Sequence, residues 1–361
     1  MDRKAIFSII TICYRRLGYL QESLAAMRRQ SYPHLEIIII DNGAIPEVRQ
    51  YIDQMEKTDS RIKIVHFKEN QYREDDPWHM NKICMNAGLD VATGDFVWYQ
   101  SDDDIIADDY VEKMVRLFND DPACTTAAGL VRSIDHAGQI MPEGPRVDNF
   151  RPRYMPGHLL ALSTLNRSYP GAGQVMFNVP GSIFAIRRQE LVKAGGYHAL
   201  IELCHLYGVV PFGVTGFDET AILYWRRHED QLNKYMGMRG VISIEVTLDF
   251  INGWHIEQRW EVFGKSTARY LIKHLYQVVF EEATSQFVIN LYYLGFGACA
   301  RILKSMWFRP YFWQHLPRQL WKQKIYIKYS IKEMLKKIFK SFPWLVEKFP
   351  RLLPLQERTF R

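Results

Sequence analysis

Apolar residues in the first hundred positions come in short unbroken runs, separated by stretches with helical spacing. Phe7–Cys13 is the first run, β-branched and uncharged, and it predicts a buried strand. Leu20, Leu24 and Met27 then share one face of a helix over Leu17–Arg29. Tyr32-Pro33 ends it, because a residue before proline is pushed out of the helical region. Further on the pattern predicts strands at Leu35–Ile40, Ile62–Phe67 and Phe96–Tyr99, and helices at Pro46–Met55 and Asn81–Val91. Continuous apolar strands alternating with helices indicate an α/β protein whose mostly parallel sheet is covered on both faces. A strand is expected at Ala123–Val131, a Gly-, Pro- and Arg-rich loop over Asp135–Met155, and another strand at Ile222–Trp225. Beyond Met238, Val246–Phe263, Tyr270–Glu282 and Phe287–Leu303 read as helices with broad apolar faces.

Composition adds three constraints. At 361 residues, 47% apolar and 24% charged, the chain is globular and long enough for more than one folded unit. Its five scattered cysteines (13, 84, 124, 204 and 299) lack paired spacing, which argues for reduced thiols in a cytosolic setting and against a disulfide frame or zinc site. The opening MDRKAIFSIITICYRR is expected to be a first strand and not a signal peptide, and no run of about twenty apolar residues predicts a membrane-spanning helix.

Charge is divided unevenly. Residues 301–361 hold 15 Lys and Arg against 3 Glu, a net of +12, so the remaining 300 residues carry −6 of the chain's overall +6. In the tail, Trp, Phe and Tyr alternate with Lys and Arg, as in MWFRPYFWQHLPRQLWKQKIYIKY. A basic face beside an aromatic and aliphatic one is the pattern of helices lying on an anionic membrane surface. Nucleic acid is disfavoured as a partner, since no binding motif for it is present. The competing structural reading is that these helices fold back over the core with their basic face solvated.

Candidate chemistry sits at two strand ends. Asp102, Asp103 and Asp104 follow the Phe96–Tyr99 strand directly, and three adjacent carboxylates repel one another unless a cation is present. Clustered oxygen ligands suit Mg²⁺ or Mn²⁺. The same aspartates would also suit the start of a helix near Ala107. Asp41 ends the Leu35–Ile40 run, in Asp41-Asn42-Gly43. As an ionised carboxylate it only accepts hydrogen bonds, which suits an imide N–H such as that of uracil; an Asx turn closed by Gly43 is the alternative.

The segments SIITICYRRLGYLQESLAAMRRQSYPHLEIIIIDNG and NAGLDVATGDFVWYQSDDD resemble the nucleotide-binding half of family 2 glycosyltransferases with the GT-A fold. There a Tyr-Asn-Arg-like turn, a Q-S/T-Y-P-x-x-E element and a strand ending in Asp-Asp-Gly precede an Asp-x-Asp-Asp metal motif. The likeness keeps its order and spacing through about residue 130. Asn42 replaces the second Asp of the earlier motif, and Gln100 stands at the first Asp of the later one. The resemblance implies a nucleotide-sugar site that includes Tyr14, Asp41 and Asp102, with Asp103 as ligand of Mn²⁺ or Mg²⁺. Asp104 takes that part if the extra residue shifts the loop.

The second half of the resemblance starts at Pro180-Gly-Ser-Ile-Phe-Ala-Ile-Arg-Arg and Ala194-Gly-Gly-Tyr, which are similar to the acceptor half of the family. The acidic base of that half would fall to Glu202, with Asp218-Glu219 as the competing pair. Partial burial would raise the Glu202 pKa toward that of a working base. Tyr224-Trp-Arg-Arg-His228 resembles the Tyr-Arg-x-His ending of non-processive members, so His228 is expected at the diphosphate or metal.

The expected organisation is a glycosyltransferase domain over 1–237, divided into a donor half (1–130) and an acceptor half (131–237), then an α-helical extension over 238–361. The expected activity is metal-dependent, inverting transfer of a sugar, UDP-linked, to a hydroxyl of a glycan or lipid-linked oligosaccharide, as in bacterial polysaccharide synthesis. The expected location is cytoplasmic, peripheral on the inner face of the plasma membrane. Two rivals remain: a sugar-phosphate nucleotidylyltransferase, which needs a Gly-rich basic loop where this chain has Tyr14-Arg-Arg-Leu-Gly, and a non-catalytic binding module that kept the fold.

Overall fold

The first four strands, β1 (Phe7–Cys13), β2 (Leu35–Asn42), β3 (Ile62–Phe67) and β4 (Phe96–Tyr99), pair in parallel in the order β3-β2-β1-β4. Every residue of β1 and β2 is buried. This is why both read as unbroken apolar runs and not as alternating ones: strands covered on both faces have no polar side. Helices α1 (Leu17–Arg28), α2 (Pro46–Thr58) and α3 (His79–Val91) make the crossovers. The computed structural model describes residues 4–74, 76, 78–142, 153–165, 184–200, 204–231, 238–292 and 296–322.

The sheet then becomes mixed. After β5 (Ile105–Ile106) and α4 (Tyr110–Asp120) come β6 (Cys124–Ile134), β7 (Tyr154–Pro156), α5 (Gly157–Leu165), β8 (Phe184–Arg187), α6 (Arg188–Lys193) and β9 (Val214–Arg226). Strand β8 pairs antiparallel with both β4 and β6, while β6 and β9 run parallel, giving the order β3-β2-β1-β4-β8-β6-β9-β5 among the described residues. Strand β9 starts eight residues before the expected strand at Ile222 and is bulged, the register jumping from Gly129↔Asp218 to Leu130↔Ile222. Strand β7 begins at the end of the span expected to be loop, Asp135–Met155.

The Gln30-Ser-Tyr-Pro-x-x-Glu36 element ties these layers together. Gln30 donates to the carbonyls of Ala26 and Ala107 and accepts from the N–H of Val111, while the Tyr32 hydroxyl donates to the carbonyl of Ala5. Glu36 accepts from Ser8 Oγ at 2.6 Å, from Thr93 N at 2.9 Å and Thr93 Oγ1 at 3.0 Å, and pairs with Lys63. Burial works against its charge, but these donors outweigh that and hold the Glu36 pKa below the usual carboxylate value. Further along, Gly195 and Gly196 have φ of 94° and 83°, and a Cβ on Gly196 would meet Asn86 Oδ1 at 2.2 Å. Asn86 of α3 uses that approach to bond both the N–H and the carbonyl of Tyr197.

The chain packs as two units, Met1–Lys234 with Val246–Ile272, and Tyr235–Glu245 with Lys273–Arg361. The single helix expected at Val246–Phe263 is broken: α7 (Met238–Gly253) stops, His255 adopts a φ of 49°, and α8 (Ile256–Trp260) follows. The break serves packing. Trp254 covers Gly208, and Arg259 and Trp260 donate to the carbonyls of Gly208 and Tyr207 in the π-helical turn Cys204–Val209. Helix α9 (Lys265–Tyr292) is continuous where two helices were expected, and α10 (Phe296–Met306) and α11 (Pro310–Lys322) complete the described chain.

Glu36→Ala should destabilise the protein by about 3 kcal/mol in urea denaturation, since it leaves several donors without their buried acceptor. The native charge lowers the folded-state pKa. Its contribution is therefore present above the unfolded value of about 4.3 and lost as pH falls below it, so wild type and variant should converge in acid.

Candidate functional site at the carboxyl ends of the parallel strands

Two acidic turns flank β1. Asp41 lies beside Cys13 in the β1–β2 register, and β4, on the other side of β1, leads into Gln100 and the aspartates. The two strand ends are thus two strand spacings apart, about 10 Å. Open α/β sheets bind ligands at this edge. Cys13 lies between the two turns, and burial together with the charges of Asp102 and Asp41 pushes its thiol pKa up.

The loop after β4 is shaped by side chains, not by regular pairing. The Gln100 amide donates to Ser23 Oγ and to the carbonyl of Asp104, both at 3.0 Å, which curls the Ser101–Asp104 turn over α1. Strand β5 then pairs antiparallel with β9, Ile105 opposite Tyr224 and Ile106 opposite Leu223. That pairing brings the aspartates to the end of β9. Arg226, fully buried, donates its backbone N–H to Asp104 Oδ1 at 2.9 Å and its Nε to the carbonyl of Asp103 at 2.9 Å. Its other nitrogens reach the carbonyl of His136 at 3.0 Å and Glu22 of α1 at 2.5 Å, and the guanidinium lies 4.8 Å over the Tyr19 ring.

Arg16, at the end of the turn after β1, meets the aspartates from the other side. One of its terminal nitrogens pairs with Asp102, and the other donates to Asp103 Oδ2 at 2.5 Å. His228 Nε2 lies 2.9 Å from the same Asp103 oxygen, with its ring against Tyr19 at 4.8 Å. Asp103 thus has two basic partners. Burial would raise its pKa, but the His228 hydrogen bond and the Arg16 charge outweigh that and hold it below the usual value. Asp102 is pushed up to about 6, by burial first and then by Asp103, against the pull of Arg16. Burial and the Asp103 charge raise Asp104 well above its usual value. Asp103 is therefore the carboxylate most strongly held in its charged form, and negative charge remains in excess around Arg16.

Asp41 is buried and used by its own turn. Oδ1 accepts the N–H of Ala44 at 2.6 Å, and Oδ2 contacts Arg49 Nε and His66 Nδ1, each at 2.8 Å. Burial opposes its charge, but these donors keep its pKa lowered. Gly43, with φ 62°, lets the turn close on Glu69 and Asn70, where a Cβ would meet Asn70 N at 2.5 Å. Asn42 continues that contact, its side chain bonding Asn70 and the N–H of Gln71. Tyr14 is 39% exposed at the same edge, and its carbonyl accepts the N–H of Ile45.

The sequence-expected residues thus divide in three. Asp102, Asp103, Asp104 and His228 are brought into one network, with Asp41 and Tyr14 on the same sheet edge. Asp218 and Glu219 sit in the β9 bulge beside α4, where Asp218 Oδ1 accepts from the N–H and hydroxyl of Thr220, and Lys113 of α4 donates to the carbonyl of Thr220. Glu202 lies outside the described residues. Sequence reading missed Arg16 and Arg226, the two cations that organise the aspartates. Both were legible in principle, Arg226 as the Arg of the Arg-x-His ending and Arg16 as the Arg of the Tyr-Asn-Arg-like turn.

Residues 8–176 match the family described as Glycosyl transferase family 2. The putative teichuronic acid biosynthesis glycosyltransferase TuaG of Bacillus subtilis is 30% identical over 112 residues, 31% of this chain and 41% of the relative. The GalNAc(5)-diNAcBac-PP-undecaprenol beta-1,3-glucosyltransferase of Campylobacter jejuni is 31% identical over 97 residues, 27% of this chain and 29% of the relative. The chain therefore spans well under half the length of these relatives. A crystal structure of S. aureus TarS 1-349 in complex with UDP-GlcNAc superposes with a TM-score of 0.53 at 13% identity, covering 83% of this chain and 91% of that one, a likeness of fold alone. With the matched segment spanning β1 through the aspartate loop, residues 8–176 are a family 2 glycosyltransferase domain on a GT-A-like sheet.

Proposed function

We propose that the protein is an inverting glycosyltransferase that moves a sugar from a UDP-linked donor to a hydroxyl of a glycan or lipid-linked oligosaccharide. The observation that carries this reading is the pair of acidic turns, Asp41 and Asp102–Asp104, flanking β1 inside the family-matched segment. The Campylobacter relative, named for an undecaprenol-linked acceptor, supports the lipid-linked alternative. Asp41 Oδ1 accepts the Ala44 N–H and keeps a second lone pair for an imide N–H of the base.

A divalent cation fits the donor set. Among the described residues no three His, Cys, Asp or Glu side chains form a ready cage. Mg²⁺ seldom uses one, being held by one or two carboxylates and completed by water and substrate phosphate. Asp103 and His228, whose Nε2 lies 2.9 Å from Asp103 Oδ2, would hold Mn²⁺ or Mg²⁺, with Asp102 assisting. When bound, it neutralises the departing diphosphate. Arg16 supplies positive charge at the same place, Arg226 holds the loop in register, and a carboxylate base takes the acceptor proton. We assign that base to Glu202 over Asp218 and Glu219, because Asp218 is occupied by Thr220. A membrane partner belongs to the same reading: residues 301–361, net +12, would hold the enzyme on the anionic cytoplasmic leaflet where lipid-linked glycans are built. No helix among the described residues is long and apolar enough to cross a membrane.

Calorimetry with a panel of nucleotide sugars, with and without Mn²⁺, tests the whole reading: a UDP-sugar should bind, and bind more tightly with the metal. Asp103→Asn should cut metal-dependent transfer by about a hundredfold or more while thermal unfolding stays cooperative; normal turnover with a normal Mn²⁺ dependence would overturn the assignment. Arg16→Met should cost the metal-free protein about 2–3 kcal/mol at neutral pH. Its cost should shrink below about pH 6, where Asp102 takes a proton and stops repelling Asp103. Added Mn²⁺ should recover part of the lost melting temperature. For Glu202→Gln, turnover should fall with donor affinity unchanged; a fully active variant would move the base elsewhere.

A further inference from the structure

The last described helix is built the wrong way round for a solvated surface. Along α11, Trp313, Pro317 and Trp321 recur at intervals of four, which places them on one face. All three are exposed, whereas Phe312 is fully buried. The stripe continues through the α10–α11 corner, where Trp307 is 56% exposed and Phe308 91%, against 39% for Trp313 and 70% for Trp321. The corner has defined geometry. Trp313 Nε1 donates to the carbonyl of Trp307 at 2.9 Å, and the two rings meet edge to face at 5.4 Å. Beneath it, Ile302, Met306 and Phe312 are buried, with Phe312 edge-on to Phe287 at 6.0 Å.

Leaving four large aromatic side chains in water is costly, and contiguous exposed apolar surface marks a docking site. Charge selects the occupant. Lys304 is exposed and Arg309 half-buried beside the aromatics, and the sequence from 301 onward carries +12. A second copy docking through this same face would bring the same sign and be repelled. An anionic bilayer instead offers an apolar layer for the rings next to a negative layer for the lysines and arginines, and tryptophan is the side chain most at home at that boundary. Resting on the membrane reading above, we infer that Trp307, Phe308, Trp313 and Trp321 are a one-leaflet anchor that inserts into the headgroup–acyl boundary of an anionic membrane. The basic segment supplies attraction that salt screens, and the aromatic stripe supplies retention that salt does not.

The test is co-sedimentation of the full-length chain with phosphatidylcholine vesicles and with vesicles containing phosphatidylglycerol, at low salt and at about 1 M, where the Debye length is about 3 Å. Wild type should bind anionic vesicles at low salt and keep a measurable fraction at high salt. Phe308→Ser, at the most exposed position, should weaken high-salt partitioning about tenfold, and the Trp307→Ser/Phe308→Ser/Trp321→Ser variant more, with low-salt binding and UDP-sugar affinity kept. Equal high-salt retention in wild type and both variants would overturn the anchor while leaving the membrane reading intact. Indifference of the wild type to anionic vesicles at low salt would overturn the membrane reading itself. Two other results also overturn the anchor: dimerisation of the wild type that the triple variant abolishes, which would make the occupant a second copy, and preferential binding of a single-stranded RNA oligomer competing with the vesicles.

Discussion

Three consecutive carboxylates at the end of a buried strand set the terms for the rest of this site. Asp102, Asp103 and Asp104 are each under a tenth exposed, so water cannot screen their mutual repulsion. The fold answers with partners from two separate places: Arg16 after β1, and the Arg226 N–H and the His228 ring at the end of β9. None of these is local in sequence. The short β5–β9 pairing, two residues long, is therefore disproportionately important, because it fixes which cations the aspartates meet.

These partners only partly offset burial. Arg16 spans Asp102 and Asp103, yet Asp102 is still pushed up to about 6 and Asp104 further above its usual range. In the reading proposed above, a divalent cation bound beside Asp103 would complete this arrangement. The same logic of opposed needs separates the two packing units. The first places acidic turns at a sheet edge, and the second ends in aromatic side chains facing outward beside basic residues.

Departures from the family pattern have physical consequences visible in the hydrogen bonds. Gln100, in place of an aspartate, spends its amide on Ser23 and on the Asp104 carbonyl, making it a brace for the loop and sparing the site a further charge. Asn42 does likewise, using both ends of its amide to hold the 70–71 segment. An aspartate at either place would only accept, and each of these braces needs a donor.

By itself the sequence determined the parallel half of the sheet and the positions of its acidic turns. Strands buried on both faces are mostly apolar, with the few polar residues such as Ser8 and Glu36 paired to each other, so Phe7–Cys13, Leu35–Ile40 and Phe96–Tyr99 read as strands. It also fixed the basic, aromatic character of the tail. Tertiary structure alone decided the rest. The bulge in β9 and the break at His255 follow from pairing and packing partners far away in the chain, such as β6 for the first and Gly208 under Trp254 for the second. Arg16 and Arg226 became site residues for the same reason: a cation's role depends on which carboxylates are folded against it, and Arg226 lies more than a hundred residues from Asp103 and Asp104. Local periodicity records burial, but it holds no record of which distant charge completes a buried one.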